Sequence, residues 1–126
     1  MSLSDTFETH VLNYLFTATS VTRPTAWYLG LYTSAPTDSA AGTELSGSVY
    51  ARQTVAFTVS GNLATNTSAV EFPTATGSWG TIVAVAILDA SSSGNILAYA
   101  SLSANKTIAT GDVLRIPAGD LDLTLD

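Results

Sequence analysis

The chain of 126 residues has no cysteine, which excludes a disulfide framework, a zinc knuckle and a thiol nucleophile. Cations are almost as scarce. Arg23, Arg52, Lys106 and Arg115 are the only four, scattered along the chain, and the net charge is −6. That balance opposes nucleic-acid binding, because contacts to phosphate need Lys and Arg. A single histidine, His10, means that any Ser-His-Asp site would have to form around the N-terminal segment. No GxGxxG or Walker pattern occurs. No apolar run is long enough to cross a bilayer, and no basic stretch precedes the first apolar residues, so a secretory signal is not expected. Without one, the sequons at Asn66 and Asn105 carry no weight. There is also no internal repeat, no heptad and no glycine-rich stalk. The charged fraction is 11%, under half the usual value of about 25%, so Ser, Thr and small residues carry much of the polar surface. Such a surface suits close, weakly charged contacts with neighbours.

What is present is organised around residues 79–90, WGTIVAVAILDA. Ile82 to Leu88 include no polar residue, β-branched side chains are frequent, and the turn-like SSSGN follows. This pattern predicts a central strand, and a strand with no polar face needs cover on both sides, or cover on one side and a partner subunit on the other. Residues 4–16 predict the only helix. Asp5 and Glu8 have the spacing of a capping box, with Ser4 an alternative cap, and Phe7, Val11, Leu12, Leu15 and Phe16 form one apolar stripe. That helix could close the open end of a β-sandwich or dock on a neighbouring subunit. His10 on it reads as a solvated or capping side chain.

The rest of the chain reads as short strands between turns. Residues 27–33 alternate, Trp27, Leu29 and Leu31 opposing Tyr28 and Tyr32. A long polar loop covers 34–48 and suggests a functional or mobile element. Residues 49–60 alternate again, Val49, Ala51, Gln53 and Val55 opposing Tyr50, Arg52 and Thr54, with Phe57 and Val59 continuing the first face. Strands follow at 63–65, 69–72, 95–103, 106–109 and 113–116. In the final DLDLTLD, Leu121, Leu123 and Leu125 are expected to face inward, and Asp120, Asp122, Thr124 and Asp126 outward. The expectation is an all-β chain: a single β-sandwich or jelly-roll-like domain over 1–126, with one N-terminal amphipathic helix at 1–17 and the sandwich at 26–126.

Candidate chemistry is sparse. Glu44, Glu71 and Asp89 are the carboxylates that could pair for glycoside hydrolysis, but they lie on different segments. The row Asp120, Asp122, Asp126 could contribute oxygen ligands to calcium between subunits. The simpler reading is a solvated face whose charge discourages edge pairing. Tyr28, Tyr32, Tyr50, Trp79 and Tyr99 could stack on sugars, or serve as core and interface. Arg52 and Arg115 interrupt neutral strands and should pair with a carboxylate or a row of carbonyls within the chain, or with an acid across a subunit boundary. No catalytic, cofactor-binding or metal-binding residue is assigned, no cofactor is expected, and the chain does not read as an enzyme.

Several segments taken together, in this order, resemble a known family. They are WYLGLYT at 27–33 with Pro36-Thr37, GTELSG at 42–47, YARQ at 50–53, Phe72-Pro73, GSWGT at 77–81, Asp89-Ala90 with Gly94-Asn95, Lys106, and GDVLRIPAGDL at 111–121. This set, which covers almost the whole chain, resembles the small tailed-bacteriophage virion proteins commonly labelled "phage tail fibre protein". The resemblance implies a virion structural protein without catalytic residues. With no shaft in the sequence, it is read first as a head decoration (cement) protein on the capsid surface. Residues 1–16 and 34–48 would then bridge capsomers. The alternative is a small tail-fibre, tail-tip or baseplate component that contacts host surface glycan. The implied partners are copies of itself, as a homotrimer, and virion neighbours such as the major capsid protein, with no nucleic acid and no membrane.

Overall fold

Residues 82–88 lie in the middle of the largest sheet, where a strand without a polar face has to be. The computed structural model describes residues 1–125. Its elements are β1 (Ser2–Leu3), α1 (Asp5–Phe16), β2 (Tyr28–Ser34), β3 (Thr43–Glu44), β4 (Gln53–Thr54), β5 (Phe57–Ser60), β6 (Leu63–Asn66), β7 (Val70–Glu71), β8 (Gly80–Leu88), β9 (Ile96–Ile108), β10 (Arg115–Ile116) and β11 (Asp122–Thr124). The main antiparallel sheet runs β1-β9-β8-β2-β3, with β4 sharing the outer edge of β2. Two small sheets, β10-β7 and β11-β6-β5, make the second layer. The fold is all-β with one N-terminal helix, as expected.

The core fills the space between the layers. Leu29 and Leu31 of β2, Ile82, Val85 and Ile87 of β8, and Leu97 of β9 pack against Val55, Val70, Phe72, Leu114 and Leu121. The opposite face of the main sheet carries a second cluster of Tyr32, Ala84, Ala86 and Leu88. Both faces of β8 are therefore covered. Ile82 and Val85 share a face although they are three residues apart, which strict alternation forbids. The cause is a bulge: Ile82 pairs with Lys106 and Ala84 with Ser101, so residues 102–105 stand opposite Val83 alone. The same bulge joins the two strands expected at 95–103 and 106–109 into the single β9.

Three local expectations are corrected. Residues 49–60 do not form one strand. The chain leaves the main sheet after β4 and enters the second layer at β5, so no single face persists. Tyr50 and Arg52 turn inward and Val49 outward, because Tyr50 packs on Phe72 and Trp79 and Arg52 finds a carboxylate. In the last strand the inward burial fades from Leu121, which is buried, through Leu123 to Leu125, which is 50% exposed. The other end-strand position, Asp126, lies outside the described residues.

The helix is the third correction. No capping box forms; Ser4 occupies the N-cap, but its Oγ accepts no hydrogen bond from the helix N–H groups and donates to the Ile96 carbonyl at 2.7 Å. Ser4 N–H also donates to Leu97 O and Asp5 N–H to Asp38 O, which fixes the start of α1 to β9 and to the 34–48 loop. Phe7 reaches the core, but no residue of α1 is fully buried. Leu12, Tyr14, Leu15 and Phe16 are exposed, so the helix does not close its own sandwich. Among the described residues no helix is long and apolar enough to cross a membrane.

Candidate functional site

The densest polar cluster sits where the edge of β2 is incompletely paired. β4 covers Tyr28 and Leu29, β3 covers Tyr32 and Ser34, and a gap remains at Gly30 and Leu31. A backbone group left unpaired there would cost as much as a lost hydrogen bond. Leu31 O accepts from Leu45 N–H at 2.8 Å, and Leu31 N–H donates to the Tyr50 hydroxyl at 3.0 Å. That hydroxyl donates in turn to Glu44 Oε2 at 2.7 Å. Arg52 then grips Glu44 with two parallel bonds, Nε to Oε2 and Nη2 to Oε1, both 2.8 Å. Its Nη1 donates to the carbonyls of Ala90 and Ser93 at 2.7 and 2.8 Å. The cluster rests on Gly30, where an added Cβ would lie 3.0 Å from Glu44 Oε2 and 3.0 Å from Leu88 Cδ1.

The electrostatics describe a strap, not a reactive group. Burial alone would raise the Glu44 carboxyl, but the hydrogen bonds from Arg52 and then Tyr50 outweigh it and hold the pKa below its ordinary value. Burial pushes Tyr50 upward, with further rises from Glu44, and pushes Tyr32 up to about 12. The hydrogen bond to Glu44 raises Arg52. Every member therefore keeps one protonation state across neutral pH, whereas a general acid or base must be able to change it. The bidentate fork instead ties the end of β3, the approach to β4 and the turn after β8 into one unit.

The other candidates are dispersed. Glu71 meets Arg115 only at 3.9 Å on an exposed surface, a contact worth little. Asp89 accepts from Asn95 N–H at 2.7 Å and from Asn95 Nδ2 at 3.1 Å, which closes the β8–β9 turn. The three carboxylates considered for hydrolysis thus each serve a different local contact. Asp120 and Asp122 are exposed, Asp126 lies outside the described residues, and no three potential ligands gather among the described residues. Of the aromatics, Tyr32 and Trp79 are buried. Tyr50 stacks on Phe72 at 6.1 Å and meets Trp79 edge-on at 5.8 Å. Tyr99 is hydrogen-bonded through its hydroxyl to Asp38. Trp79 therefore offers no face to a sugar, and Tyr50 is half-buried against it. Arg52 meets both a carboxylate and carbonyls of its own chain, as one of its two readings held. The role of Tyr50 was not legible, although Glu44, Tyr50 and Arg52 all fall within the motifs at 42–47 and 50–53.

Tyr50→Phe isolates the hydroxyl. The ring contacts survive, but Leu31 N–H loses its acceptor and Glu44 one donor, so stability should fall by about 1–3 kcal/mol. Hydrogen exchange at the Leu31 amide should accelerate more than at Leu29, which keeps its ladder partner.

Two comparisons bear on this chain. The family described as podophage GP4 fiber I protein gp80 matches residues 2–124. No curated protein matches it.

Proposed function

We propose, from the premise that this chain belongs to the podophage GP4 fiber I protein gp80 family, that it is a structural component of a phage tail fibre. The observation that carries this reading is the reach of the match, from residue 2 to residue 124. The chain is a phage virion structural protein, in keeping with the resemblance seen in its motifs. Between the two addresses weighed from the sequence, the family's description supports the tail over a head decoration protein on the capsid surface. The polar chemistry supports a structural role as well, since the best-formed cluster is a strap whose members keep one protonation state near neutral pH.

Its work is then adhesion between protein surfaces, with copies of itself, in a trimer, and other virion proteins as partners. Contact with a host glycan would not use Trp79, whose ring is buried in the core. The test is position. A small epitope inserted at the Gly61-Asn62 turn, which is exposed, and labelled on intact particles should mark the tail. Label confined to the capsid faces would overturn the tail reading and restore the head.

A further inference from the structure

Two apolar surfaces of this chain lack a partner. The first is a cleft of about 340 Å³ at one end of the sandwich, lined by Trp27, Phe57, Val59, Leu97 and Leu123, with Arg23 its one charged residue. It lies between the β11-β6-β5 sheet and the main sheet, whose residues line its two sides. Val59 pairs with Ala64, and Ala64 with Leu123, so the three share the inward face, yet Val59 is 71% exposed. The second is the last turn of α1, where Leu12, Tyr14, Leu15 and Phe16 project with Phe16 78% exposed. The start of that helix is fixed by Ser4 and Asp5, and this anchoring leaves its far end in solvent.

We infer that the C-terminal turn of α1 from one copy docks into the open end of the sandwich of a second copy. An aromatic-rich knob and an apolar cleft each gain by leaving water. Charge makes the pairing specific. The last turn of α1 holds no basic residue, so the negative end of the helix dipole is uncompensated. Arg23, at the cleft, makes no ion pair among the described residues. Docking brings this cation to that helix end. Knob and cleft are different surfaces, so the contact either exchanges reciprocally between two copies or runs head-to-tail, and the trimer proposed above takes the head-to-tail form as a closed ring. It deepens the self-assembly proposed above, and it holds whether the ring sits on a tail or on a head.

The absence of native cysteine allows a clean test on the full chain. Phe16→Cys and Val59→Cys are made separately, mixed and oxidised. A mixed disulfide joining the two variants should dominate over either homodimer, as read by mass. Phe16→Asp should shift the native mass to that of a monomer while leaving the thermal midpoint of the isolated fold unchanged, because the side chain is exposed. A native monomer in the unaltered protein, cross-linking without preference for the mixed pair, or an unchanged native mass for Phe16→Asp would each overturn the contact. An internal bridge in the doubly substituted chain would show the helix docking on its own sandwich and would also overturn it. None of these outcomes depends on where the particle carries the protein, so they fail separately from the labelling experiment.

Discussion

Gly42→Ala is expected to destabilise the fold by about 2–5 kcal/mol, the sum of a left-handed backbone penalty of about 1–2 kcal/mol and overpacking of about 1–3 kcal/mol. Gly42 has φ +65°, and a Cβ there would sit 2.5 Å from Ser34 O, 2.7 Å from Pro36 N and 2.8 Å from the Ala35 carbonyl carbon. All three atoms are backbone, so no side-chain rotation relieves the clash. The glycine lets the 34–48 loop fold back on the end of β2 and deliver Thr43 and Glu44 to the sheet edge. Gly61→Ala is the control. Its φ is +61°, but nothing lies within 4 Å, so only the backbone term of about 1–2 kcal/mol applies. Urea unfolding of both variants measures the difference. Equal losses would mean that the loop relaxes around the added methyl and is not held against β2.

The parts of this fold legible in the sequence are those where one residue pattern meets one surface. Ile82 to Leu88 had to be doubly covered, and both faces are. Asn95 and Asp89 frame the turn where SSSGN suggested one. Legibility failed where the chain changes surfaces. Between Arg52 and Phe57 it passes from one sheet to another, so the alternation that set Val49 and Val55 on one face and Tyr50 and Arg52 on the other had no fixed reference. The strap was hidden for the same reason, because its members are recruited by a gap in strand pairing that no local pattern records. The helix failed differently. Its stripe was read correctly as apolar, but a stripe looks the same whether it packs within its own chain or waits for another. Ser4 sits at the N-cap, but its backbone N–H and hydroxyl both donate to β9 carbonyls, and this tertiary contact orients the hydroxyl away from the helix N–H groups it would cap.

Arg52→Met should cost about 3 kcal/mol, the lower end of the range for breaking a buried pair from one side. Its side chain is only 8% exposed while that of Glu44 is 25% exposed, so water can reach the abandoned carboxylate in part. The loss should depend on pH in a defined direction. In the unaltered protein the Glu44 pKa lies below its ordinary value. The unfolded chain therefore binds more protons than the folded one as the carboxyl titrates. The resulting stabilisation is complete above the ordinary carboxylate value and disappears as pH falls through the lower folded one. In Arg52→Met the burial that raises the pKa remains, while the largest opposing contact is gone. Acid then favours the folded variant relative to its unfolded state, so the stability gap between variant and parent should narrow on acidification. Glu44→Gln in the Arg52→Met background should recover part of the loss at neutral pH, since it removes the stranded charge. Denaturant titrations at neutral and acidic pH for the parent, the two single variants and the double complete the cycle. A gap that stays constant with pH would show that Arg52 acts through the Ala90 and Ser93 carbonyls alone, and that its bond to Glu44 adds nothing to the fold.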